Sequence, residues 1–152
     1  MVVKQVFFAG TSTTLSESER NYRKIITALQ ALEIECVGSW VIKLMNGEEP
    51  TPTDGLTVLE QQQQLLRSVD LMIVECSSPS FGIGYLMHQA VSQRTPLLCL
   101  YNDHLQLGDL SDMITGNHST LIKVLPYNLE TVDEVIAGYL STLKGEDIHK
   151  FN

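Results

Sequence analysis

From Val2 to Leu143 the sequence alternates short apolar runs with longer stretches whose apolar residues recur at helical spacing. That alternation leaves few folds open. A strand, a crossover helix and a further strand build a parallel sheet, right-handed crossovers fix its hand, and helices then cover both faces. The runs Val2 to Ala9, Ile34 to Trp40, Leu71 to Cys76, Pro96 to Tyr101 and Leu121 to Leu125 read as five strands. The stretches Glu17 to Glu33, Thr57 to Ser68, Gly82 or Gly84 to Gln93, Leu107 to Thr115 and Leu129 to Leu143 read as helices. A capping box at Ser16-Glu17-Ser18-Glu19 opens the first of them. The expected architecture is a flavodoxin-like, Rossmann-like three-layer α/β sandwich whose five parallel strands run in the order 2-1-3-4-5.

Ligands of such sheets bind beyond the carboxyl ends of the strands where the order reverses, here between strands one and three. The expected site therefore joins Phe7 to Thr14 with Cys76 to Tyr85.

A chain of 152 residues suits one domain, expected over 1–144 with a loose tail at 145–152. Its net charge of −8 argues against nucleic acid as partner, since that binding draws its affinity from Lys and Arg on phosphates. A single mononucleotide stays open, because a helix N-terminus holds one phosphate without a basic patch. No apolar run is long enough to span a bilayer and the start has no leader pattern, so a cytoplasmic location without membrane contact is expected. Cys36, Cys76 and Cys99 lie in apolar runs with no metal-ligand spacing and read as reduced core residues. No metal or cofactor is expected. Lys43 to Gly55, with Asn46-Gly47, Pro50, Pro52 and Asp54-Gly55, reads as a long loop and so as a candidate for mobility or function.

The segment Asp70 to Ala90 has the composition of an anion site. An apolar strand ends in Ser77-Ser78-Pro79-Ser80, Gly82 and Gly84 permit a tight turn, and a helix begins with free backbone N–H groups and its positive dipole end. Thr11, Ser12, Thr13 and Thr14 offer a second set of hydroxyls, at the first helix. From spacing alone both sets read more readily as ordinary helix caps and turn residues with no ligand. The hydroxyl-rich Thr11 to Thr14 loop also admits a flavin-binding protein as an alternative.

The residues Ser80-Phe-Gly-Ile-Gly-Tyr-Leu-Met-His-Gln-Ala90 resemble the stretch Ser-Leu-Gly-Val-Gly-Tyr-Glu-Leu-Gly-Arg-Ala of the nucleoside 2-deoxyribosyltransferase family. The likeness is nearest to its branch that cleaves the N-glycosidic bond of 2'-deoxynucleoside 5'-monophosphates. It extends to Val6 to Gly10, Glu60 to Asp70, Pro96 to Leu100 and Leu110 to Ile114. The resemblance implies a nucleotide site and a homodimer in which Ser111 reaches the phosphate bound by the neighbouring subunit. It also implies four departures. The family's nucleophilic glutamate falls at Leu86, its second acid at Gln62, its tyrosine at Phe7 and an arginine at Thr13. The expectation is a pocket for a nucleoside 5'-monophosphate or another phosphate-containing small molecule, formed by Phe7, Gly10, Thr11, Thr13, Gln62, Ser80, Gly82, Gly84, Leu86 and Ser111 and lacking catalytic residues. The alternative is an active N-glycosidase or deoxyribosyltransferase that draws a displaced carboxylate from Glu60, Asp70, Glu75 or the loop carrying Glu48 and Asp54. His88 lies two residues after Leu86, roughly 200° around a helix, and does not replace it.

Overall fold

The structure is a computed structural model that describes residues 1–38, 40–48 and 55–145. Its elements in chain order are β1 (Gln5–Ala9), α1 (Leu15–Ala31), β2 (Glu35–Gly38), α2 (Trp40–Met45), α3 (Gly55–Ser68), β3 (Leu71–Glu75), α4 (Phe81–Ser92), β4 (Leu97–Asn102), a single 3₁₀ turn at Leu107–Asp109, α5 (Asp112–Thr115), β5 (Ile122–Tyr127) and α6 (Val132–Gly145). All neighbouring strands pair in parallel, in the order β2-β1-β3-β4-β5. The expected α/β architecture is the one observed.

The side-chain period of two divides the central strands between two cores. Val6, Phe8, Leu71, Ile73, Leu98 and Leu100 face α1 and α6, where they meet Tyr22, Ile25, Leu29, Ile136 and Leu140. Phe7, Ala9, Met72, Val74, Leu97 and Cys99 face α3 and α4, where they meet Leu66, Met87 and Ala90. Being covered on both faces explains why Leu71 to Val74 form an unbroken apolar run without alternation.

Local differences from the expected elements have physical causes. Helix α1 begins at Leu15, and the Thr14 carbonyl already accepts from the N–H groups of Glu17 and Ser18 at 3.1 and 3.0 Å. Ser16 is therefore inside the helix rather than its cap, and Glu19 pairs with Arg23 one turn on instead of reaching back. Trp40 to Met45 is helix, not the end of a strand and the start of a loop, because Val41 and Met45, one turn apart, both enter the α1-side core. Gly47, at φ +72°, ends that turn. The remainder of the expected loop, 49–54, lies outside the described residues, as does the tail beyond Gly145. The expected helix from Leu107 to Thr115 is split, because Leu110 turns into the interior between the two short pieces.

Candidate functional site

Two cavities share one wall, the start of α4. The smaller, about 360 Å³, lies beyond the carboxyl end of β1, between the β1–α1 loop, α3 and α4. The larger, about 540 Å³, lies on the other side of α4, toward α5 and β5.

In the β1–α1 loop, Gly10 has no room for a side chain: a Cβ there would stand 2.5 Å from the ring of Tyr22. That ring anchors the loop, since the Tyr22 hydroxyl donates to the Thr11 carbonyl at 3.2 Å. Burial, helped by the charge of Glu75, pushes the Tyr22 hydroxyl up to about 12, so it stays a donor at neutral pH. Thr11 is buried, and its Oγ1 accepts from the Thr13 N–H at 3.3 Å. Thr14 Oγ1 donates to Ser78 Oγ at 3.4 Å and so joins the two loops that flank the switch point.

Ser80 is the N-cap of α4, with extended backbone and its Oγ accepting from the Ile83 N–H at 3.4 Å. The Gly84 N–H makes the first intrahelical bond, to the Ser80 carbonyl at 3.0 Å, so the N–H groups of Phe81 and Gly82 come before any helical acceptor and carry the positive end of the dipole. Gly82 and Gly84 are not the turn glycines expected. They are the second and fourth residues of α4, neither has positive φ, and nothing lies within 4 Å of where a Cβ would be. Their effect is to leave bare backbone on the helix surface, Gly82 toward the smaller cavity and Gly84 toward the larger.

The residues singled out from sequence divide accordingly. Gly10, Thr11, Thr13, Gln62, Gly82 and Leu86 line the smaller cavity, Gly84 and Ser111 line the larger, and Ser80 lines both. Phe7 lines neither; it is wholly buried between β1 and the α3/α4 layer. Ile83 and Tyr85, within the expected stretch Cys76 to Tyr85, also line the smaller cavity, while Val41, Val58 and Leu59 complete its wall and were not anticipated. Val58 and Gln62, one turn apart in α3, carry a signal that a helical projection of that segment would have caught.

Acids are placed elsewhere. Asp70 sits at the amino end of the sheet, where its Oδ2 accepts from the N–H groups of Lys4 and Gln5 at 2.8 and 3.0 Å. Glu60 is exposed on α3, two residues from Gln62 and so on another face of the helix. Glu48 is exposed just past α2. Glu75 is buried on the α1 side of the sheet, accepting from Ser77 Oγ and, at 3.1 Å, from the Tyr127 hydroxyl. Burial raises its carboxyl above the ordinary range, against the lowering effect of those bonds. No Asp, Glu, His, Lys or Arg lines the smaller cavity among the described residues. His88 borders the larger one. Among the described residues no group of three or more His, Cys, Asp or Glu is placed to hold a metal ion.

A doubly wound parallel sheet with a cleft at the β1/β3 switch point defines the class. No protein-family model matches the chain. Individual proteins do: the 5-hydroxymethyl-dUMP N-hydrolase of Rattus norvegicus is 31% identical over 115 residues, 73% of this chain and 68% of that protein. A Methanosarcina mazei protein that bears the name 2'-deoxynucleoside 5'-phosphate N-hydrolase 1 is 27% identical over 141 residues, 92% of this chain and 86% of its own length. The solved CMP N-glycosidase of Clostridium botulinum superposes with a TM-score of 0.66 at 16% identity, covering 90% of this chain and 99% of that one, and so shares the fold. The chain belongs to the family of 2'-deoxynucleoside 5'-phosphate N-hydrolases, within the nucleoside 2-deoxyribosyltransferase-like proteins.

Proposed function

We propose that this chain binds a nucleoside 5'-monophosphate, or a similar phosphate-bearing small molecule, in the cleft at the ends of β1 and β3 and does not cleave its N-glycosidic bond. The observation that carries this is the cleft lining: Leu86, Gln62 and Thr13 stand together in it and no carboxylate does, among the described residues. Attack at an anomeric carbon needs a nucleophilic carboxylate and a second acid near it. Leucine and glutamine supply neither. The hydroxyls of Thr11, Thr13 and Ser80 and the first turn of α4 support the binding half of the proposal, with the phosphate against the N–H groups of Phe81 and Gly82, since those of Ile83 and Gly84 donate to Ser80 Oγ and the Ser80 carbonyl.

Chromatography of free base after incubation with 2'-deoxynucleoside 5'-monophosphates tests it. Release is expected to be absent or at least about 10³-fold below a competent relative, the scale set by loss of a nucleophile. Leu86→Glu alone is expected to restore little, because Gln62 leaves the new carboxylate without an acid beside it. Turnover near about 1 s⁻¹, ordinary for an enzyme, overturns the proposal. Calorimetry with several nucleoside monophosphates at millimolar concentration tests the binding half, and silence with all of them defeats it.

We also propose a homodimer formed across α4 and α5. Phe81 is wholly exposed, Met113 is 84% exposed and Tyr85 is half exposed, so α4 and α5 carry large apolar side chains into solvent. A helix apolar on both faces calls for cover on both. The larger cavity, edged by Phe81, Ser111 and Met113, would then lie at the two-fold axis, with Ser111 of one protomer near Ser80 of its partner. Sedimentation equilibrium is expected to give a dimer at micromolar concentration and a monomer for Phe81→Glu with Met113→Glu; a wild-type monomer refutes it. The free thiols of Cys36, Cys76 and Cys99 fit a reducing compartment, and we place the protein in the cytoplasm.

A further inference from the structure

Two polar residues are buried among the described residues, Thr11 and Glu75, the first lying two residues past the end of β1 and the second being the last residue of β3, on either side of the switch point. Thr11 faces the cleft. Glu75 turns the other way, into the layer of α1 and α6, so it takes no part in the cleft lining. Nor does it join an ion pair among the described residues, where Arg23 pairs with Glu19 and Lys24 with Asp133, and His104 acts on its charge only from beyond contact. A buried carboxylate without a cation is costly and calls for a use.

Its bonds suggest the use. Glu75 Oε1 accepts from Ser77 Oγ and from the Tyr127 hydroxyl at 3.1 Å. The single proton of the Ser77 hydroxyl goes to Glu75, which leaves Ser77 Oγ to accept the Asn102 N–H at 2.8 Å. The relay has one polarity, from Asn102 through Ser77 to Glu75, and gathers the ends of β3, β4 and β5 around the Glu75–Ser77 pair. From Ser77 the chain runs directly to Ser78, which holds Thr14 of the other loop, and to Ser80, which caps α4.

We propose that Glu75 is the positioning residue of the cleft: its ionised carboxylate holds the loop from Cys76 to Ser80 in place, and protonation releases it. The proposal rests on the nucleotide site only for its affinity test. The titratable groups facing Glu75 are Tyr22 from α1, Tyr127 from β5, His104 from the turn after β4 and the adjacent Cys76. Burial raises the tyrosines, and the hydrogen bond with Cys99 together with burial raises the Cys76 thiol, so all three keep their protons through neutral pH. His104 is the group to control, since its Nδ1 lies 2.7 Å from Asn102 Oδ1.

The test is a pH titration of the full chain by ¹⁵N and ¹³C NMR in wild type, Glu75→Gln and His104→Gln. The Glu75 carboxyl carbon is expected to titrate above the ordinary glutamate value of about 4.3, with the amides of Asn102, Ser78 and Ser80 moving at the same midpoint. That common midpoint should persist in His104→Gln and vanish in Glu75→Gln. Amides that stay still while Glu75 titrates overturn the proposal, and so does an unchanged amide titration in Glu75→Gln. The wild-type titration decides alone if the Glu75→Gln chain does not fold. In calorimetry with 2'-deoxycytidine 5'-monophosphate, wild type is expected to bind about tenfold tighter than Glu75→Gln above the midpoint, the scale of charged against neutral hydrogen bonds, and equally below it. Taking the ratio cancels the ligand's own phosphate titration. Equal affinities at every pH overturn the proposal. Calorimetric silence with the common midpoint intact removes the nucleotide site and supports the role of Glu75.

Discussion

The two faces of the sheet are finished differently. Toward α1 and α6 the core is closed by two long helices, with Tyr22, Ile25, Leu29, Tyr127 and Ile136 fully buried. Toward α3, α4 and α5 the cover is thin: α5 is one turn, Ile122 and Val124 of β5 are only partly buried, and Phe81 and Met113 stand in solvent. Both cavities open on this second face. One sheet thus supports a face that holds the fold together and a face left open to solvent, and substitutions on the two are expected to report different things.

The largest contrast in stability is between two leucines. Leu29→Ala, in the closed core, is expected to cost about 2–5 kcal/mol, whereas Leu86→Ala, half-buried at the cleft, is expected to cost under about 1.5 kcal/mol because the vacated space joins an existing cavity. Urea denaturation measures both; equal costs would erase the distinction between the faces. Gly10→Ala comes next, at about 1–3 kcal/mol, since the added methyl meets the Tyr22 ring of the closed face at 2.5 Å. It sharpens the comparison, because the strain arises on one face and the displaced loop lines the other. Should Gly10→Ala melt like wild type, the ring is not the anchor of that loop.

The smallest effect is the pH dependence from Glu75. Its carboxyl is raised in the fold by burial, so its contribution to stability is fully present below the ordinary glutamate value and is lost as pH rises through the raised one. The wild-type melting temperature, measured against Glu75→Gln, is expected to fall across that window. A rise would mean that the bonds from Ser77 and Tyr127 outweigh burial. Stability and loop order thus move in opposite directions with pH, which a purely structural carboxylate would not produce.

The features legible in the sequence before folding are local or follow from handedness. The period of apolar residues marked every strand, right-handed crossovers ordered them, and Ser80 before an apolar helix declared itself an N-cap, because each signal lies within a turn or two of chain. Its failures are instructive for the same reason. Gly82 and Gly84 permit a turn or a helix equally well by composition, and only the Ser80 cap and the ladder behind it decided for helix. Val41 and Met45 look like loop neighbours until a core receives them. The tertiary structure alone sent Phe7 into the interior, divided Ser80's neighbours between two cavities, and carried Glu75 to Tyr127 across 52 residues and Thr14 to Ser78 across 64. Such contacts have no period to read: which distant side chain satisfies a buried oxygen is settled by how helices and strands pack, after the local pattern has placed each of them.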